Sequence, residues 1–452
     1  MTRKIAVTCF GLLALGVGCG DVTRPDPTPP LSLDADLRRN LQQWGIVPIG
    51  PMLPENAALV DLGRALVFDK ILSGNRDISC GTCHLPSSGM TDGLSLAIGT
   101  GGTGVGASRV LGTGRQFVPR GAPSLLNTGL GLFYIFWDGR LSGFQAGPFQ
   151  TPPDVTLPGG LPHILAAQAM FPVLNRREMR GEKGELDVFG NPNELGQLED
   201  GQNTQIWQAV MARLLAIPVY VTKFSAAFPG VPTSQLRFHH AAIAIAAFQR
   251  HLVMRTDSPF DRYLSRNDAA LTTEQKRGAL LFFGRAQCSS CHNGPFLGGT
   301  GFANVGVPQV GPGVGAGAPL DLGRGELANN EFYRFAFRVV PLRNVELTAP
   351  YFHSGAYPTL DAVVRHYNDV PVALRGYDVS QLAPELRGMF HGDPATIDDI
   401  LSRLDGRLAR PLNLSDGEMG QVVAFLKALT DPAARDLNAL IPATVPSGLP
   451  VQ

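Results

Sequence analysis

The pentapeptide Cys-x-x-Cys-His occurs twice in this chain, as Cys80-Gly81-Thr82-Cys83-His84 and as Cys288-Ser289-Ser290-Cys291-His292. Two thiols at this spacing can form thioether bonds to one porphyrin, and the histidine that follows can ligate its iron. Each copy therefore reads as a c-type haem attachment site. Two C-x-x-C pairs could instead offer four thiolates to zinc or form a redox dithiol. The histidine directly after the second cysteine in both copies argues against that. With six Cys and nine His in 452 residues, chance supplies one such pentapeptide with a probability of roughly 10⁻³, and a pair far more rarely. The expected cofactors are two covalently bound haem c groups. Cys80, Cys83, Cys288 and Cys291 would be the attachment points, and His84 and His292 the iron ligands.

Helices must hold these motifs, and the residues before them supply the pattern. Gly63-Arg64-Ala65-Leu66-Val67-Phe68 precedes the first motif and Gly278-Ala279-Leu280-Leu281-Phe282-Phe283 precedes the second, a degenerate internal duplication. Each block ends an amphipathic stretch, 56–68 and 272–283, with apolar residues at helical spacing. Thr272 with Gln275 three residues on predicts a capped helix start. Two haem domains are expected, over 35–265 and 266–432. Further helical patterns, clearest at 206–215 and 236–254, enlarge the first. His239, His240 and His251 fall on or beside the second of these and read as surface or packing histidines. The Gly-rich run 99–114 lacks the strand, helix start and closing Lys-Ser/Thr of a phosphate loop, so it reads as a mobile loop, as does 311–317. The expected fold class is mainly α: two cytochrome c-like haem domains with long irregular loops.

The ends point to export. Arg3 and Lys4 precede an apolar run, 5–18, that is too short to span a bilayer but has the length of a signal-peptide core. Gly16-Val17-Gly18-Cys19 resembles a lipoprotein cleavage box with its leucine displaced by one position. The expected processing is a signal peptide over 1–18 with Cys19 lipidated; an ordinary secreted protein cut nearby is the other reading. A Pro-rich tether, 19–34, and a Pro-rich tail, 433–452, flank the domains. The 38 basic and 38 acidic residues balance, so bulk charge makes no case for nucleic acid. A periplasmic location, with the membrane touched only through the lipid anchor, is the expectation.

Further segments resemble the bacterial dihaem cytochrome c peroxidase and MauG family over nearly the whole mature chain, about 57–430. They are 78–84, Thr91-Asp92-Gly93, Ala122-Pro123-Ser124-Leu125-Leu126-Asn127, Phe136-Trp137-Asp138-Gly139-Arg140, Pro341-Leu342-Arg343-Asn344-Val345, and 347–355 with Thr359-Leu360. Each is weak alone, but their order around two haem motifs is specific. The resemblance implies that the first haem is the peroxide site and the second collects electrons. It implies that Trp137 lies between the haems, although a core aromatic at a domain interface would look the same. Glu178 resembles the distal-pocket glutamate, a base and acid for O–O cleavage; otherwise it is one charge in an Arg-Arg-Glu-Met-Arg run. Gln145 is a weaker pocket donor.

Three positions depart from the family pattern. Many relatives cap the first iron with a loop histidine, but here no histidine occurs between His84 and His163, and Thr100 holds that place. The first haem is therefore expected to be five-coordinate. Where peroxidases carry an axial methionine for the second haem, this chain has Tyr367, whose phenolate would lower the potential; Met389 and His366 are the other candidates. Calcium is implied through carbonyls of Thr348 and Pro350, but its asparagine position is Gly121, which makes calcium doubtful. Three functions remain: a hydrogen peroxide reductase fed by a small cytochrome c or cupredoxin, a MauG-like enzyme oxidising a protein or other substrate through a high-valent dihaem state, and a non-enzymatic electron carrier. Relatives are commonly dimers, so a homodimer is a further expectation.

Overall fold

The computed structural model describes residues 32–50, 52, 54–144 and 146–451. The expected signal peptide, Cys19 and Gln145 lie outside the described residues, as does most of the tether. The chain is mainly helical, and its named strands form two short antiparallel pairs, Tyr134–Ile135 with Leu141–Ser142 and Phe302–Ala303 with Phe337–Arg338. Among the described residues no single helix is long and apolar enough to cross a membrane.

Two cores organise the molecule, each around the helix that leads into a haem motif. Asn56 caps the Ala57–Phe68 helix, its side chain accepting from the Ala58 and Leu59 amides, which satisfies two donors that the first turn leaves orphaned. This helix lies against the Phe238–Leu252 helix, with Leu62, Leu66, Ala241 and Phe248 fully buried. Helices Asn203–Leu215 and Pro218–Ala227 add Val210, Leu214, Tyr220 and Phe224 to the same core. In the second core the predicted capping box forms: the Gln275 amide donates to Thr272 Oγ1 at 3.2 Å, and the Thr272 amide to Gln275 Oε1 at 2.9 Å. The resulting Thr273–Phe283 helix packs on Asp416–Lys427 through a cluster of Phe260, Phe282, Phe283 and Phe425.

The internal duplication has a steric cause. A Cβ on Gly63 would overlap the Ala244 carbonyl oxygen and come within 3.0 Å of Phe248 Cβ; one on Gly278 would overlap the Gln421 oxygen and come within 3.0 Å of Phe425 Cβ. The two helix crossings thus use the same contact, a glycine seated on a carbonyl one turn before a phenylalanine. Gly278→Ala is expected to destabilise the haem-loaded protein by about 1–3 kcal/mol, the range for an overfilled core. Thermal unfolding measures it, and an unchanged midpoint would show that the crossing can open without cost.

Long-range packing redraws the expected domain ends. The Leu33–Gln43 helix belongs to the second core, not the first: Leu37 and Leu41 are buried there, Lys276 pairs with Asp34 at 2.7 Å, and the Trp44 indole donates to Phe283 O at 2.8 Å. The Pro259–Leu264 helix joins it through Phe260 and Tyr263. Conversely, the Pro-rich tail is no loose end. Leu437, Leu440, Val445 and Leu449 are buried in the first core, and Arg64 Nε donates to Leu440 O at 2.7 Å. Asp69 accepts from Ser447 Oγ at 2.6 Å and from Tyr220 Oη at 2.7 Å, closing the strap. Each core recruits distant apolar segments because its own stretch of chain leaves an apolar helix face uncovered.

Candidate active site

Each haem motif is a short helical turn that presents its histidine in one tautomer. Ser79 and Thr82 brace the Cys80–Cys83 turn, the Ser79 amide donating to Thr82 Oγ1 at 3.1 Å. His84 Nδ1 lies 3.2 Å from Met90 O, and His292 Nδ1 lies 3.0 Å from Leu297 O. A carbonyl accepts only from N–H, so Nδ1 carries the proton and Nε2 keeps the lone pair that a metal needs. Burial pulls both imidazoles down to about 4, with the carbonyl contacts opposing it. They are neutral at physiological pH and fit iron ligation. Burial pushes the Cys80 and Cys288 thiols up to about 12, as expected for sulfurs packed among apolar atoms.

Glu178 lies near the first motif. Asn175 starts the Arg176–Arg180 turn, its side-chain oxygen accepting from the Arg177 and Glu178 amides at 2.9 and 3.2 Å. Arg176 and Arg180 turn away to Asp200, and Met179 enters the first core. The Glu178 carboxylate has no ion pair or side-chain hydrogen bond among the described residues. Its charge nevertheless lies close enough to raise both the Cys80 and the Cys83 thiol pKa. Burial raises the Glu178 carboxyl pKa, with Arg140 pulling the other way.

The Gly-rich run beside it, expected to be mobile, is instead fastened. Arg109 donates to the carbonyls of Ile98, Gly99 and Gly104 at 2.7, 2.7 and 2.8 Å. The Thr100 amide donates to Glu178 O at 2.8 Å, and its hydroxyl to Asp77 Oδ1 at 2.8 Å. A buried arginine that satisfies three carbonyls gives a glycine loop one conformation. Thr100, at the place of the relatives' loop ligand, is thus committed to the protein. His163 is likewise engaged, accepting from the Leu165 amide at 3.0 Å, and His240 accepts from the Arg237 amide at 3.0 Å.

A large cavity surrounds the second motif, and Cys288, Cys291, His292, Tyr367, Trp137 and Arg338 all contribute to its wall. Tyr367, on the Leu360–Asn368 helix, has no hydrogen-bond partner for its hydroxyl among the described residues. Burial, then the nearby Cys291 and Cys288 sulfurs, push its phenol upward. The two other candidates for the sixth ligand do not line this cavity. His366 has both ring nitrogens occupied, Nδ1 at 2.9 Å from Tyr357 Oη and Nε2 at 2.7 Å from Val305 O. Met389 packs at the edge of a separate cluster around Tyr377 and Leu386.

Trp137 ties the segment around Gly121 to the Phe337–Arg338 strand. Its indole donates to Gly121 O at 2.9 Å, and its own carbonyl accepts from the Arg338 amide at 2.8 Å. The neighbouring Ala122-Pro123-Ser124 segment lines the cavity on one side, while the Pro123 carbonyl faces His84 on the other. Beneath it Arg120 makes a two-pronged pair with Asp321, at 2.6 and 2.8 Å, and also holds Asp138. The Arg120 and Arg140 charges hold the Asp138 carboxyl far below the usual range against its burial. Thr348 and Pro350 line the cavity wall near Gly121, but the implied calcium does not fit the residues present. Gly121 has no side-chain oxygen, its carbonyl is taken by Trp137, and its amide donates to His353 O at 2.8 Å.

The sequence reading missed Arg120, Asp321 and Arg338. For Arg338 a signal existed: one arginine within the otherwise apolar run 335–342. Such a charge has to be matched by something.

Comparison with known proteins bears on the family and the fold. A family model described as di-haem cytochrome c peroxidase matches residues 57–269. Over 440 residues the chain is 30% identical to the methylamine utilization protein MauG of Methylorubrum extorquens, covering 96% of each. It is 33% identical over 297 residues to the cytochrome c551 peroxidase of Pseudomonas aeruginosa, covering 65% of this chain and 67% of that protein. A solved MauG-like protein associated with microbial copper homeostasis superposes with a TM-score of 0.59 at 26% identity, over 87% of this chain and 95% of that one. The diheme peroxidase BthA from Burkholderia thailandensis has the same fold, with a TM-score of 0.56 at 20% identity over 89% and 95%. At 30% identity over 96% of the methylamine utilization protein MauG, the chain belongs to the di-haem cytochrome c peroxidase family that includes MauG.

Proposed function

We propose that the protein is an exported dihaem c-type peroxidase, with haem attached at Cys80/Cys83 and Cys288/Cys291 and ligated by His84 and His292. It reduces hydrogen peroxide to water with electrons from a small periplasmic cytochrome c or cupredoxin. The observation that carries this reading is the Glu178 carboxylate near the first motif, unpartnered among the described residues. Haem iron supplies a Lewis acid and a route for electrons. Glu178 supplies the proton movement: its carboxylate takes the proton from one peroxide oxygen and returns it to the oxygen that departs. The balance is one peroxide, two electrons and two protons to two waters. Trp137, braced by Arg338 and Gly121, carries electrons from the second site to the first. Export matches covalent haem attachment, and a lipidated Cys19 would hold the enzyme at the membrane.

Electron paramagnetic resonance of the oxidised protein tests the open first site. With Thr100 and His163 committed elsewhere, a high-spin ferric signal that changes on adding peroxide is expected. Low-spin signals from both haems would overturn it. Tyr367 on the second cavity favours one other reading, a MauG-like enzyme that uses peroxide to oxidise another substrate. Fast turnover with reduced cytochrome c supports the peroxidase. Oxidising equivalents that persist for minutes, with slow donor turnover, support the other.

A further inference from the structure

Three arginines, Arg338, Arg343 and Arg407, line the second cavity. Arg343 is paired with Asp261, and Arg407 with Asp405 at 2.7 Å. Arg338 has no carboxylate within ion-pair reach among the described residues. Its guanidinium makes one hydrogen bond, from Nε to Phe136 O at 3.1 Å, while Nη1 is enclosed with no partner. The residue is 9% exposed. Burial lowers its pKa to about 10, Asp138 opposing from beyond contact range.

An enclosed guanidinium without a counter-charge is unfavourable, and folding tolerates it only when something in the holoprotein supplies the anion. The group that fills this cavity brings two carboxylates of its own. We propose that Arg338 pairs with a propionate of the haem attached at Cys288 and Cys291. The proposal rests on the reading that haem occupies this cavity. The backbone around Arg338 fits the role: its amide holds the Trp137 carbonyl at 2.8 Å and its Nε the Phe136 carbonyl. One residue therefore fixes both the edge of the second haem and the bridging tryptophan. It is a positioning residue that also sets charge. A fixed cation beside the porphyrin favours the ferrous state, which carries one positive charge fewer.

The test is spectroelectrochemical titration of haem-loaded Arg338→Gln and Arg338→Lys beside the parent, with haem content from the pyridine haemochrome. Fewer than two haems per parent chain would refute the cavity reading itself. With two haems present, the glutamine variant is expected to shift the second haem's equilibrium at least tenfold toward ferric, about 59 mV for one electron. The lysine variant is expected to keep most of the parent value. A second-haem couple unmoved in a fully loaded Arg338→Gln, or a shift confined to the first haem, overturns the pairing. Should the glutamine variant not accumulate, the parent carries the test. Its infrared difference spectrum across reduction of the second haem is expected to contain a band that moves on 15N-arginine labelling, and the lack of one overturns the proposal.

Discussion

Glu178→Gln is expected to lower kcat/KM for hydrogen peroxide by about 10²–10⁴-fold, the range lost when a positioned acid–base group is removed. Glutamine keeps the size of the side chain and the amide contacts of the Arg176–Arg180 turn, which come from Asn175 and the backbone. Haem content and absorption spectra are therefore expected to stay unchanged. The pH profile separates chemistry from structure. Glu178 works as a base when ionised, and burial raises its carboxyl pKa above the ordinary value, Arg140 offsetting part of this. Turnover is thus expected to fall as pH drops through that raised value, and the variant is expected to lose this acid limb. A variant within threefold of the parent at every pH would remove Glu178 from the mechanism.

Tyr367→Phe is expected to change the second haem while leaving its attachment and its His292 ligand in place. The parent residue is half-buried on the cavity wall, with no hydrogen-bond partner for its hydroxyl among the described residues. A phenolate on iron stabilises the ferric state, so its removal is expected to raise the second haem's potential. Axial ligands span about 0.8 V, and a rise on the order of 100 mV is expected. Ligand loss is also expected to change the visible spectrum of the oxidised protein. Met389→Leu is the control: Met389 lies off the cavity, against Tyr377 and Leu386, so both readouts are expected to hold. An unchanged spectrum in Tyr367→Phe, or a changed one in Met389→Leu, would give the ligand role to another residue.

What the sequence reveals is governed by short range. The pentapeptides carry thioether points and ligand within five residues, and the Thr272–Gln275 box caps a helix three residues away. The paired glycines Gly63 and Gly278 stand out because the same crossing is built twice. Glu178 and Trp137 were legible only through their neighbours in family-like segments. Where packing decides, the reading fails or stays open. The run 99–114 looks mobile by composition, yet Arg109 and Thr100 fasten it. The Leu33–Gln43 helix and the tail look local to their own ends, yet each covers the core that has an open apolar face.

By itself, then, the sequence determined that this is a dihaem protein of peroxidase type, with each haem site defined by its own five residues. Tertiary structure alone decided which side chains line the cavity beside the second motif. Tyr367 faces the cavity while adjacent His366 is spent on Tyr357 and Val305. Neighbours on a helix point about 100° apart, so only the packed helix shows which one turns inward. Arg120 finds Asp321, and Arg338 finds no carboxylate among the described residues, because charges are matched across folded space, between residues that the chain keeps far apart.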